Sequence, residues 1–130
     1  MVANIRSGSS PGGALYYNKE KVDRDEAEIL YWQKMLEPFD KYGRMDVDAC
    51  MESFWPYLEA NRRTTNTVFH VSLNPSPEDK LTDEQLREIA NEYMQKMGYG
   101  NQPYIVFKHK DISREHLRMN TTVPCPYCGN

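Results

Sequence analysis

The sequence predicts an α+β domain, and three stretches carry that expectation. Residues 66–73 alternate, with Val68, His70 and Ser72 on one side and Phe69, Val71 and Leu73 on the other. That is a strand, ended by Asn74-Pro75 and Pro77. Next, Thr82 and Gln85 stand at capping-box spacing, so hydroxyl and amide each satisfy an orphan N–H of a helix start. Leu86, Ile89, Ala90, Tyr93, Met94 and Met97 follow as one apolar stripe, and Gly98 supplies a left-handed stop. Residues 104–107 then form a short apolar strand running into Lys108-His109.

The remaining elements read less sharply. Residues 2–6 suit a short strand, and the Ser, Gly and Pro of residues 7–13 read as a mobile loop. Residues 14–21 are helix-friendly and carry adjacent tyrosines, Tyr16 and Tyr17. In residues 28–35 the run Ile29-Leu30-Tyr31-Trp32 suits a buried strand, with helix left open. Residues 46–61 read as a helix with Asp46 as N-cap and Val47, Cys50, Met51, Phe54 and Leu58 at helical spacing. Pro56 removes an N–H inside that span, so a kink or a second short helix is expected there.

Bulk properties narrow the function classes. A chain of 130 residues, 39% apolar and 27% charged, has the size and composition of one folded domain. No apolar run approaches the roughly 20 residues of a membrane helix, and residues 1–10 lack an apolar signal core. A cytoplasmic protein without membrane contact is expected. The net charge of −3 argues against a binder that holds duplex DNA through phosphates alone. Basic residues nevertheless cluster at Arg62-Arg63 and at Lys108, Lys110, Arg114 and Arg118. Three cysteines in such a chain do not suggest a disulfide framework, and Cys50 sits in a helical apolar pattern as a small core residue.

The residues with most chemical potential lie late in the chain. His109 ends a strand and His116 follows a short loop, so a hairpin would bring the two imidazoles together. Neutral imidazoles bind borderline divalent metals; the plainer reading is two surface histidines flanking a turn.

The segment His109-Lys110-Asp111-Ile112-Ser113-Arg114-Glu115-His116-Leu117 resembles the metal motif of conjugative relaxases, the mobilization nucleases of plasmids and transposons. Further landmarks follow in the family's order. They are Ala14-Leu15-Tyr16-Tyr17, the strand Phe69-His70-Val71-Ser72-Leu73 before Asn74-Pro75, and the helix opening Leu81-Thr82-Asp83-Glu84-Gln85. The resemblance spans roughly residues 1–117. It implies an antiparallel sheet with helices packed on it, and phosphoryl transfer in which a tyrosine attacks single-stranded DNA at an origin of transfer. The products would be a 5′-phosphotyrosine and a free 3′-hydroxyl, with a divalent metal, Mg²⁺ or Mn²⁺, neutralising the scissile phosphate. By position Tyr17 is the nucleophile and Tyr16 the reserve. His109 and His116 would hold metal. Asp111 would either orient a ligand imidazole or activate the tyrosine. Ser72, His70, Lys108, Lys110 and Arg114 are candidate DNA contacts, although Ser72 and His70 also suit ordinary strand positions. Accessory mobilization proteins are the further partners implied.

One position departs from the family. The third histidine belongs at 118, where this chain has Arg118. A guanidinium has no lone pair for a cation, so weak or absent metal binding and impaired nicking are expected. Beyond it the sequence loses the family's apolar strand. The expectation is a truncated relaxase-like domain over 1–117, an unpaired sheet edge, and a loosely ordered tail over 118–130. Two other readings compete. One is a non-catalytic module binding single-stranded DNA or a protein. The other is a small zinc-stabilised interaction domain built on Cys125 and Cys128, which would need further ligands such as Cys50.

Overall fold

The computed structural model describes residues 2–8, 11–60, 68–76, 80–110 and 116–122. Chain order is β1 (Val2–Gly8), α1 (Pro11–Asp23), β2 (Ala27–Gln33), α2 (Val47–Ala60), β3 (Val68–Asn74), α3 (Asp83–Lys96), β4 (Tyr104–His109) and β5 (His116–Thr122). The strands form one antiparallel sheet in the order β1-β3-β5-β4-β2. The α+β expectation, a sheet with helices packed on it, holds.

Strand pleating sends alternate side chains to opposite faces, and β4 shows how both are used. Tyr104 and Val106 pack with Val71, Leu73, Leu117 and Met119 under Leu86, Ala90 and Met94 of α3. Ile105 and Phe107 face the other way, onto Leu15 of α1 and Cys50 and Phe54 of α2. Buried on both faces, β4 reads as a continuous apolar run. A register shift between Ile29 and Tyr31 puts a bulge in β2, and Leu30 joins the α3 layer.

The helix ends follow the sequence closely. Asp46 caps α2, its Oδ1 accepting from the Ala49 N–H at 3.1 Å. In α3 the Gln85 N–H donates to Thr82 Oγ1 at 3.2 Å, and the Thr82 N–H to Gln85 Oε1 at 2.9 Å. Gly98, at φ +88°, donates to the Gln95 carbonyl, and Tyr99 donates to that of Met94. That pair is a Schellman ending, which needs a left-handed residue at its turn.

Three expectations change. The loop expected over 7–13 is mostly ordered: β1 runs to Gly8 and α1 starts at Pro11, where a fixed φ and a missing N–H suit a first helical turn. Helix α2 continues through Pro56 as one element, so no second helix starts there, and Cys50 and Phe54 anchor it in the core. The boundary at 117 falls inside β5, which runs on to Thr122. Nor does that region leave an unpaired edge, because β5 lies between β3 and β4 and bonds to both. The physical reason is alternation: Leu117, Met119 and Thr121 are buried, and Thr121 Oγ1 donates to the Pro103 carbonyl at 2.7 Å. Residues 123–130 lie outside the described residues. No described helix is long and apolar enough to cross a membrane.

Candidate functional site

The β4–β5 hairpin pairs His109 directly with His116. The two rings lie 5.1 Å apart, tilted by 32°, and both residues are buried. His109 also meets Phe107 edge-on at 6.5 Å. Its Nε2 lies 2.9 Å from Oδ1 of Asn18, a buried residue of α1. The Asn18 amide nitrogen donates to the Ala14 carbonyl at 3.1 Å, so its oxygen faces the ring and His109 donates through Nε2–H.

From His116 the same face continues along β5 through Arg118 and Asn120. Their register partners on β3 are Ser72 for Arg118 and His70 for Asn120. His70 Nδ1 sits 2.8 Å from Asn120 Oδ1, and Asn74 Nδ2 donates to Ser72 Oγ at 3.4 Å. On this face the Arg118 Nε and Asn120 Nδ2 nitrogens are buried without a hydrogen-bond partner among the described residues. Helix α1 closes over the group. The Arg118 guanidinium lies 5.4 Å from the centre of the Tyr17 ring, and the Lys21 ammonium lies 5.9 Å from it, both cation–π separations. Tyr17 is 44% exposed and Tyr16 58%, so Tyr17 is the tyrosine seated on Arg118 while still open to solvent.

The structure thus sets His109 against His116 and Tyr17 against Arg118, with Ser72 and His70 on the same sheet face. It does not bring Lys108 to them. Lys108 has the opposite parity to His109 and points to the α3 side, where its ammonium pairs with Asp83 at 2.6 Å and Glu28 at 2.8 Å. There two carboxylates neutralise it, on the opposite face from His109. Lys110 is exposed, one residue beyond β4, and its main-chain N–H donates to the Glu26 carbonyl at 2.7 Å. Asp111 and Arg114 lie outside the described residues, as do Arg62, Arg63, Cys125 and Cys128.

Sequence reasoning missed Asn18 and Asn120. The alternation 116, 118, 120 signalled Asn120; nothing local signalled Asn18, whose partner His109 is 91 positions away.

Among the described residues no three of His, Cys, Asp and Glu converge on one point, and a guanidinium occupies the corner where a third imidazole would stand. The described residues do not fit a three-imidazole metal site. Cys50 is equally remote from metal chemistry. It is buried beside Leu15 and Phe54, and burial pushes its thiol up to about 12.

The family model described as "Relaxase: MobA/VirD2-like, nuclease domain" matches residues 17–122. The matched span begins at Tyr17 and ends with β5. No curated protein and no solved structure matches the chain.

Proposed function

Because this chain belongs to the relaxase family of MobA/VirD2-like nuclease domains, we propose that it engages single-stranded DNA at an origin of transfer through Tyr17, with nicking impaired by Arg118. The family's activity is relaxase-type DNA nicking. Relaxase domains are generally divalent-metal dependent, with Mg²⁺ or Mn²⁺ the ions this reading favours.

The observation that carries the assignment of Tyr17 is its seat on Arg118, on the sheet face that also holds His109 and His116. The Tyr17 oxygen would form a bond to phosphorus while the bond from phosphorus to the 3′-oxygen breaks. The DNA 5′-end would then be joined to tyrosine, and the 3′-oxygen would leave with a proton. Asn18 holds the His109 ring in one orientation beside this centre. His70, Ser72, Lys110 and Arg114 are proposed as DNA contacts, and Asp111 as the group that orients an imidazole or activates the tyrosine. Accessory mobilization proteins are proposed as partners, and the cytoplasm as location.

Arg118 also favours a second reading, a module that binds single-stranded DNA without cutting it, because the residue that departs from the nuclease motif is itself a phosphate-binding type.

The test is a nicking assay on a supercoiled plasmid carrying a matched origin, with Mn²⁺, reading covalent DNA attachment on denaturing gels. The wild type is expected to nick feebly and Arg118→His to nick better. Adding Tyr17→Phe to that variant is expected to abolish attachment, whereas adding Tyr16→Phe leaves it. Attachment that survives Tyr17→Phe removes Tyr17 from the role. If no version becomes DNA-linked, the non-cutting module takes its place.

A further inference from the structure

We infer that Arg118 makes this sheet face a phosphate-binding site that holds single-stranded DNA without a metal ion. The inference rests on the single-stranded DNA reading above and names the group that does the holding. It starts from a charge without an answer. Elsewhere among the described residues, Lys19, Lys21, Arg24, Lys96 and Lys108 each pair with a carboxylate. Arg118 stands on an interior strand with no carboxylate partner among the described residues, and its Nε is buried without a hydrogen-bond acceptor. A half-buried cation left so costs free energy unless an anion completes it.

The neighbours are donors. Asn120 is 97% buried, its oxygen engaged by His70, and its Nδ2 has no partner among the described residues. Ser72, across from Arg118 on β3, accepts from Asn74 and keeps its own O–H to give. Arg118 and Asn120 are same-face neighbours, about 7 Å apart along a strand. A planar guanidinium presents paired N–H groups that match two phosphate oxygens. Guanidinium, amide and hydroxyl together therefore suit a phosphodiester oxygen cluster and repel a cation. The Tyr17 ring, with its centre 5.4 Å from the guanidinium, packs against this charge from α1. The cationic job that a metal performs in the family passes here to a fixed side chain.

Binding of a fluorescein-labelled 30-nucleotide single strand of mixed sequence, measured by anisotropy in EDTA and in Mn²⁺, tests this. Wild type is expected to bind equally in both. Arg118→Gln is expected to lose about 10- to 100-fold, as for a lost charge-assisted bond. Its salt dependence should flatten by about 0.7 in the log–log slope, the signature of one lost phosphate contact to a single strand. A merely structural role would leave that slope alone. Arg118→Lys keeps the charge and should keep the slope, which separates lost contact from lost fold. Wild-type affinity and slope in Arg118→Gln would overturn the proposal. Binding by wild type only with Mn²⁺ would overturn it too, while leaving the DNA reading intact. If neither wild type nor Arg118→His binds in either condition, the DNA reading falls along with it.

Discussion

Cys50 and Tyr104 both keep their protons beyond the usual range, because burial disfavours their anions. The Cys50 thiol is raised from 9.0 to about 12, and the Tyr104 hydroxyl from 10.0 to about 12. Tyr104 also donates to Asn91 Oδ1. Below pH 9 both groups are protonated in folded and unfolded chains alike, and their contribution to stability is complete. As pH rises from 9 toward 12, the unfolded chain sheds these protons while the folded chain holds them, so stability is lost across that window. Melting temperature is expected to fall steadily from pH 9 to 11, and to fall less steeply in the Cys50→Ala, Tyr104→Phe double variant. Equal slopes would show that neither group carries the effect.

Strand β4 joins two layers of the molecule through single residues. His109 points to α1, and its neighbour Lys108 points to α3, tying Asp83 in that helix's first turn to Glu28 of β2. Lys108→Met is therefore expected to lower the urea midpoint, since both carboxylates lose their counter-charge, while leaving single-stranded DNA affinity unchanged. A clear loss of affinity without loss of stability would return Lys108 to the binding face. Sequence reasoning grouped Lys108 with Lys110, Arg114 and Arg118 because they are close along the chain. Parity along a strand separates Lys108 from His109, and that was legible. The capping box of α3, the Gly98 stop and the His109–His116 hairpin were legible for the same reason: each is decided within a few residues. Asn18 was not, because it is placed by packing of α1 on a strand far along the chain. The run of β5 to Thr122 was obscured by its polar residues, Asn120 and Thr121, whose amide oxygen and hydroxyl each find a partner inside the sheet.

At the scale of the whole molecule, β5 is the keystone of the sheet. Strands β1 and β3 pair on one side of it, and β2 and β4 on the other, with no pairing between β3 and β4. A chain ended before His116 should lose its cooperative unfolding transition, since an isolated pair of strands is marginal in water. A sharp, two-state melt from that shortened chain would mean the halves cohere through the helices instead.

The position of β5 also sets a schedule. Strand β5 follows the other four strands in the chain, and until it pairs, β3 and β4 would each offer a bare inner edge to any passing strand. His116, Arg118 and Asn120 arrive with that same strand. The strand that completes the sheet is thus also the strand that completes the proposed DNA-binding face.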